Sequence, residues 1–253
     1  MLFAAFLLFE RYLYGTAKTF AAAHRRDYGR QRPLGKETRT AAHRRPQKGA
    51  EVFRQICQYA SDIGIEYMTF YAFSTENWKR SEQEVCAIMD LLRAYLAEMQ
   101  EREDENREGG YRIRFLGARA GMPEDIVRLM DEAEEKSRDK TRITINICVN
   151  YGGRDEIVHA VRTLCDRVKR GELEPADVSE ALVSDALYTA GQPDPDLIIR
   201  PSGEVRLSNF LVWQSAYAEF YFDDVLWPDF TPADLDRAIE AYSRRDRRFG
   251  DAR

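Results

Sequence analysis

The feature that most restricts the fold of this chain is a regular alternation that starts after Gly49. Segments with helical periodicity alternate there with short runs rich in aromatic and β-branched residues. This pattern is typical of a mostly parallel sheet flanked by helices. The predicted strands are 66–73, 111–117, 141–150, 196–200 and 217–222, and the predicted helices are 51–63, 85–99, 123–136, 154–170, 175–190 and a terminal helix after Thr231. We therefore predict an α/β fold with a single domain over residues 49–253, although residues 217–222 could instead end a helix that begins near Ser208.

The composition is sufficient for one large hydrophobic core. The chain has no overall positive charge that would attract a polyanionic partner such as nucleic acid. The chain has 253 residues, 44% of them hydrophobic, and its net charge of −5 combines many charges of both signs. The four cysteines show no CxxC spacing and lie among apolar neighbours, so we expect buried thiols. The apolar run MLFAAFLLF at the start is too short to span a bilayer, which needs about 20 residues.

The first candidate site is YAFSTENWKR, where a predicted strand ends in a run of polar side chains. Open α/β sheets bind ligands in the crevice at the carboxyl ends of their strands. Asn77 offers two donors and an acceptor, and Arg80 offers a fork of donors suited to a phosphate. The alternative is a plain turn followed by a helix cap, with Ser81 and Glu84 as a capping box.

The second candidate site is DLIIRPSGEVRLSNF, in which Arg200 ends an otherwise apolar strand. Arg206 and Ser208 follow on the same loop. Two guanidinium groups and a hydroxyl suit a diphosphate, because guanidinium binds phosphate oxygens bidentately. An ordinary surface salt-bridge loop is the alternative.

The third candidate site is WQSAYAEFYFDDVLWPDF, which places Glu219 within an aromatic run. A carboxylate in such a setting is costly unless it is paired or holds a cation. Mg²⁺ prefers few protein carboxylates together with water and substrate phosphates, so Glu219 is a candidate ligand. A buried Glu–Arg pair is the alternative.

Taken together, these motifs resemble the cis-prenyltransferase family, the family of the undecaprenyl diphosphate synthases. The resemblance covers about residues 49–253 and rests on YAFSTENWKR, NYGGRDEI, RPSGEVRLSNF, AYAEFYF, VLWPDF and RRDRRFG. It implies a parallel-sheet domain that forms a homodimer in the cytoplasm. The implied reaction uses Mg²⁺ to add isopentenyl diphosphate to an allylic diphosphate. The implied product is a membrane lipid, so peripheral membrane contact is also expected.

The resemblance also implies a role for each matching residue. Asn77 would assist proton removal and Arg80 would act on a diphosphate, while Glu219 would bind Mg²⁺. The residues that would line the substrate site are Ser74, Thr75, Glu76 and Trp78, and those that would hold isopentenyl diphosphate are Arg200, Arg206, Leu207 and Ser208. The chain departs from the family pattern at Pro201, where threonine is common, and at Ser81, where proline is common.

A larger departure lies before the first predicted helix. Family members carry there a strand and loop of the form HIAxxMDGNGRWA, followed by KRGLPRxAGHxxG, and this chain has neither. The missing aspartate normally helps to bind Mg²⁺ and the allylic diphosphate, and the glycines let backbone N–H groups reach phosphates.

Residues 24–48 are nevertheless compatible with codons that would encode that motif in another reading frame. With one choice of synonymous codons, reading one base later turns HRRDYGRQRPLGKETRTAAHRRPQK into IAATMDGNGRWARKRGLPRTAGHK. Our hypothesis is that residues 1 to about 48 are translated out of frame. Sequencing the locus tests it, and an intact frame that encodes this peptide as written would refute it.

This hypothesis leads to three expectations for the front of the chain. Residues 1–48 should pack irregularly, and the first central strand should be missing or replaced by the stretch KTFAAAHRRDYGR. Condensation by the chain as written should be far slower than by an intact relative.

Two alternative functions remain open from the sequence. One is a non-catalytic subunit of a cis-prenyltransferase complex. The other is a nucleic-acid-binding arm, which salt-dependent binding would reveal.

Overall fold

The computed structural model describes residues 3–6, 37–101 and 110–245, and within them the chain forms one six-stranded parallel sheet. The strand order is β3-β4-β2-β1-β5-β6. The strands are β1 Phe3–Phe6, β2 Tyr67–Ser74, β3 Tyr111–Leu116, β4 Ile143–Tyr151, β5 Leu197–Arg200 and β6 Glu219–Phe222. The predicted fold class is confirmed, and residues 217–222 contribute a strand rather than the end of a helix.

Helices lie on both faces of this sheet. They are α1 Glu37–Asp62, α2 Glu82–Glu101, α3 Glu124–Ser137, α4 Gly153–Lys169, α5 Glu180–Ser184 and α6 Pro232–Ser243. Successive strand residues point to opposite faces. Phe70 and Ile199 accordingly join the larger core under α1, α2, α3 and α6, whereas Tyr71 and Ile198 join a smaller core with Phe210.

Two local predictions differ from the structure. The helix expected over 175–190 reduces to a 3₁₀ turn at Pro175–Asp177 and the five-residue α5, because residues 175–181 are all exposed and a short helix without a packed face is marginal. Cys57 and Cys148 are buried as predicted. Cys86 and Cys165 are exposed, since both lie on the solvent sides of their helices.

The front of the chain is more regular than we expected. Phe3–Phe6 forms the central strand, in register with Tyr67–Phe70 of β2 and with Leu197–Ile199 of β5. α1 begins at Glu37, well before the predicted start at residue 51. These two segments thus have a regular backbone, and the irregular packing of residues 1–48 stays a prediction. Backbone groups of β2 and β5 require a partner, and any short apolar segment can supply one through its main chain.

The stretch Lys18–Arg30, which we expected in the place of the central strand, lies outside the described residues. Among the helices that the structure describes, none is both long enough and apolar enough to cross a membrane.

Candidate active site at the strand ends

The candidate site lies at the carboxyl ends of β2, β1 and β5. β2 ends at Ser74 and β5 at Arg200, with β1 hydrogen-bonded between them. Phe6, at the end of β1, pairs with both Phe70 and Ile199. The chain fills the sheet on one side of β1 with β2, β3 and β4 and then crosses to β5. This reversal makes the crevice at these strand ends the expected ligand site of an open α/β sheet.

The segment after β2 folds back on itself as a 3₁₀ turn over Thr75–Lys79. The N–H of Ser74 donates to the side-chain oxygen of Asn77 at 2.9 Å, and both residues are buried. Arg80 forms an ion pair with Glu84 at 3.5 Å. The Ser81 N–H donates to the Glu84 carboxylate at 3.3 Å and the Glu84 N–H donates to the Ser81 hydroxyl oxygen at 3.4 Å, so the capping box is confirmed. The plain-turn alternative therefore describes the local structure correctly, and it is compatible with a binding role.

Trp78 is held at the edge of the crevice by Asn150, the first residue of the NYGGRDEI motif, for which no role was predicted. Its indole N–H donates to the side-chain oxygen of Asn150 at 2.7 Å, while the ring remains 37% exposed. The amide nitrogen of Asn150 donates to the carbonyls of Ala118 and Ala120 at 2.9 and 3.1 Å. Asn150 has a left-handed backbone with φ of 50°, which asparagine tolerates better than most residues. The sequence signal that could have indicated this role is the position of Asn150, a polar residue at the end of a predicted strand and shortly before Gly152 and Gly153.

The loop after β5 is organised around the Arg200 guanidinium, which belongs to a residue that is only 4% exposed. It donates to the Arg206 carbonyl at 2.7 Å and to the Ser208 hydroxyl at 2.9 Å, and it forms an ion pair with Glu204. Arg206 pairs with the same carboxylate and is largely exposed. Burial would raise the pKa of Glu204, but its bonds to the two arginines outweigh burial and lower it. The two arginines and Ser208 thus share one loop, as predicted.

The loops after β2 and β5 meet through Asn209. Its amide nitrogen donates to the Glu76 carboxylate at 2.8 Å. Burial would raise the pKa of Glu76, yet hydrogen bonds from its own backbone, Asn209, Ser74 and Thr75 lower it overall. Glu76 is therefore an ionised carboxylate at the crevice at neutral pH.

Glu219 lies at the opposite end of the sheet. It begins β6 and pairs with Leu197, whereas Arg200 pairs with Phe222. Three strand residues correspond to about 10 Å along the strand direction. The Glu219 carboxylate forms an ion pair with Arg245, as the alternative interpretation of this motif proposed, but this pair is partly exposed rather than buried. Within one protomer, the fold does not bring Glu219 to the Arg200 loop.

A buried carboxylate on α4 belongs to the NYGGRDEI motif, but no role was predicted for it from the sequence. Glu156 is fully buried and accepts hydrogen bonds from the Tyr151 hydroxyl at 2.5 Å, the Gln214 amide at 3.1 Å and the Tyr188 N–H at 2.9 Å. Burial raises the pKa of Glu156, and these hydrogen bonds lower it less. Gln214 follows the Arg200–Ser208 loop in the chain, so its bond to Glu156 joins the segment after that loop to α4.

Fold and site together define an α/β protein that has a parallel sheet between helices and a group of polar side chains at the carboxyl ends of its strands. Among solved structures, lavandulyl diphosphate synthase from Lavandula x intermedia, in complex with dimethylallyl diphosphate, superposes with a TM-score of 0.81 and 31% identity, covering 98% of this chain and 97% of that one. An isoprenyl transferase of Clostridium perfringens is 44% identical over 84% of this chain and 81% of the relative. Another, from Thermotoga maritima, is 48% identical over 81% of this chain and 85% of the relative.

A family model described as "Putative undecaprenyl diphosphate synthase" matches residues 26–250. The chain therefore belongs to this prenyltransferase family, and the resemblance inferred from its motifs is confirmed. The match begins within the stretch that we placed outside the family.

Proposed function

We propose that this protein joins isopentenyl diphosphate to an allylic diphosphate, making a cis-polyprenyl diphosphate of the undecaprenyl type. The observation that carries the proposal is the buried Arg200 with Ser208 and Arg206 on one loop at the crevice. A buried guanidinium next to a hydroxyl and a second arginine is the chemistry that recognises a diphosphate. The isoprenyl transferase relatives support the same assignment.

The proposed roles of the individual residues follow their positions. Arg200, Arg206 and Ser208 bind the diphosphate of isopentenyl diphosphate, with Leu207 beside them. Ser74, Thr75, Glu76 and Trp78 line the substrate site at the end of β2. Asn77 and Arg80 are the proposed catalytic residues, in proton removal and on a diphosphate respectively.

Magnesium is the proposed cofactor, but the described residues do not by themselves fit a preformed site. Glu204 is engaged by two arginines, and Glu219 pairs with Arg245 at the other end of the strands. Within residues 3–6, 37–101 and 110–245, no three histidine, cysteine or acidic side chains are grouped as metal ligands. We therefore propose that Mg²⁺ enters with the substrate diphosphate, and Glu219 stays a candidate ligand that Glu219→Gln tests.

The chain as written should condense its substrates slowly. In the sequence, Leu7, Leu8 and Phe9 follow β1, where the family resemblance places an aspartate and glycines between the ends of β2 and β5. The isopentenyl diphosphate side of the crevice retains its arginines, whereas the side for the allylic partner has lost the family carboxylate. Binding should survive better than turnover.

Two measurements test the proposal. Calorimetry with isopentenyl diphosphate should show binding that Arg200→Ala abolishes, and a radiolabel assay with Mg²⁺ and an allylic diphosphate should show slow condensation. Absence of binding would refute the assignment. Turnover typical of the family would instead refute the expected deficiency of the front segment.

A second copy of the chain is the proposed partner. β6 is an edge strand, and the segments around it carry exposed apolar side chains, including Val205 (75% exposed), Tyr217 (73%), Leu226 and Phe222. Such an edge favours association. Sedimentation equilibrium should show a dimer that Tyr217→Glu weakens, and a monomeric native chain would refute it. We propose that the dimer is cytoplasmic and touches membranes peripherally through its lipid product.

The second candidate function is a non-catalytic subunit. Two observations favour this function: the Arg200 loop is intact, and β1 is followed in the sequence by apolar residues. Such a chain could contribute its diphosphate-binding loop to a complex with an active homologue. Co-purification with an intact homologue, and a rate increase on mixing, would support this function over a slow homodimer.

A further inference from the structure

Asn209 occupies the point where three segments of the site meet. Its neighbours Ser208 and Leu211 share its left-handed backbone, with φ values of 49°, 63° and 43° for residues 208, 209 and 211. Left-handed conformations at non-glycine residues are costly and persist only when surrounding contacts determine them. The hydrogen bonds of Asn209 supply such contacts.

Asn209 caps α4 from outside the helix. The helix is preceded by Gly152, which has no side chain with which to accept a hydrogen bond. The Asn209 carbonyl accepts from the Gly153 N–H at 2.7 Å, and its side-chain oxygen accepts from the Arg154 N–H at 2.9 Å. Asn209 therefore satisfies two N–H groups that every helix leaves unpaired at its start.

The nitrogen of the Asn209 side-chain amide donates to the Glu76 carboxylate, and the missing side chain of Gly152 leaves the space for this contact. A Cβ atom at Gly152 would lie 2.5 Å from the Thr75 hydroxyl and 2.8 Å from the Asn209 amide nitrogen. The amide thus lies in a tight gap between the loop after β2 and the start of α4. A shift of the loop after β2 would break the hydrogen bond between Asn209 and Glu76, and a shift of the start of α4 would break the one between Asn209 and the Arg154 N–H.

We propose that Asn209 is a positioning residue, which fastens the diphosphate loop Arg200–Ser208 to Glu76 and to the start of α4. The inference rests on the proposed function, because it assigns the loop to a diphosphate. Ser208, which accepts from Arg200, is the residue immediately before Asn209, so a displaced Asn209 displaces the hydroxyl that Arg200 contacts. Loss of the contact to Glu76 should weaken diphosphate binding.

A double-variant experiment tests this link by exchanging the carboxylate and the amide of the two side chains. Asn209→Asp keeps the acceptor for the Arg154 N–H but places a second carboxylate against Glu76, so we expect the Kd of the full chain for isopentenyl diphosphate to rise about tenfold. Glu76→Gln keeps an acceptor for Asn209. In the double variant, the introduced glutamine amide donates to the introduced aspartate, and the Kd should return to within about twofold of that of Glu76→Gln alone.

Gly171→Ala is the control for simple loss of stability. Gly171 lies just beyond the far end of the same helix, has φ of 71° and has open space around its Cβ position, so the substitution strains the backbone without touching the loop. The Kd of this variant should equal that of the native chain. The inference is overturned if Asn209→Asp binds as tightly as the native chain, or if the double variant binds no better than Asn209→Asp. If the native chain itself does not bind isopentenyl diphosphate, the proposed function fails as well.

Discussion

At the scale of single residues, the site depends on buried polar side chains whose bonds are directed within the loop. Arg200 contacts Glu204, Ser208 and the Arg206 carbonyl, whereas the Arg206 side chain extends into solvent. A buried, fully oriented guanidinium is sensitive to substitution, while an exposed one is not. The two arginines of this loop should therefore contribute unequally to binding.

The first prediction compares Arg200→Lys with Arg206→Lys. Lysine retains the charge but cannot reproduce the forked geometry, so Arg200→Lys should weaken isopentenyl diphosphate binding by about 100-fold. Arg206→Lys, the matched control, should cost less than about fivefold because its side chain is exposed. Calorimetry provides both values, and equal losses would contradict this division of roles.

The second prediction concerns the pH dependence of stability and the buried Glu156. Burial is the largest influence and raises its pKa above the ordinary value of 4.5, despite hydrogen bonds from Tyr151, Gln214 and the Tyr188 N–H and the nearby His159. The stability that this group contributes is present below the unfolded pKa and is lost as pH rises through the folded pKa. The free energy of unfolding of the native chain should thus fall relative to Glu156→Gln from about pH 4 upward.

The glutamine variant should fold because its amide can be accommodated. The Gln214 side-chain oxygen has no hydrogen-bond partner within the described residues, so a flipped Gln214 can accept from the new amide. Urea unfolding of both proteins across this pH range measures the difference. A difference that does not change with pH would show that Glu156 titrates alike in the folded and unfolded chain.

At the scale of elements, the crevice depends on how closely β3 and β4 approach at their ends. Gly117, just after β3, has φ of 127°, and a Cβ there would lie 2.2 Å from the Val149 carbonyl oxygen. Asn150 then joins the following loop to Trp78. The close approach of the backbone at Gly117 to the end of β4 is therefore linked to the position of the Trp78 indole.

The third prediction is that Gly117→Ala destabilises the protein severely, by about 3 kcal/mol or more, because it combines strain with a clash against backbone. Gly121→Ala is the matched control: its φ is 82°, but its surroundings are open. It should cost only about 1 kcal/mol. Chemical denaturation measures both, and similar costs for the two variants would rule out the close approach as the cause.

Most elements were predictable because their periodicity is local. The strands over 66–73, 111–117, 141–150 and 196–200 were found within one or two residues, since each is a β-rich run bounded by turns or charged residues. Phe3–Phe6 was not predicted as a strand. Phe3–Phe6 is a strand because its main chain pairs with both β2 and β5. This pairing depends on the assembled sheet and not on the local sequence.

At the scale of the whole molecule, the front of the chain decides how the sheet and the crevice are completed. The central ladder is filled by Phe3–Phe6, and the residues that follow in sequence carry none of the family's phosphate-loop chemistry. The sheet can tolerate such a replacement because its ladder uses only main-chain groups. We expect condensation to be more sensitive to this replacement, because the family resemblance implies an aspartate and glycines at this position.

The fourth prediction replaces residues 24–48 with IAATMDGNGRWARKRGLPRTAGHK. The new segment should displace Phe3–Phe6 from the central position and restore the carboxylate, raising Mg²⁺-dependent condensation by roughly 100-fold over the chain as written. The control carries the same segment with alanine in place of its aspartate, and it should stay near the slow rate. Equal rates for all three chains would refute the idea that the front segment limits turnover.

The sequence by itself determined the class of fold, the family and the residues of each motif, because periodicity and short motifs are encoded by near neighbours in the chain. Only the tertiary structure decided which motifs meet. It joined the loops after β2 and β5 through Asn209 and Glu76, and it placed Glu219 at the opposite end of the sheet. Contacts between residues more than a hundred positions apart depend on strand order and register, and those are settled only when the sheet assembles.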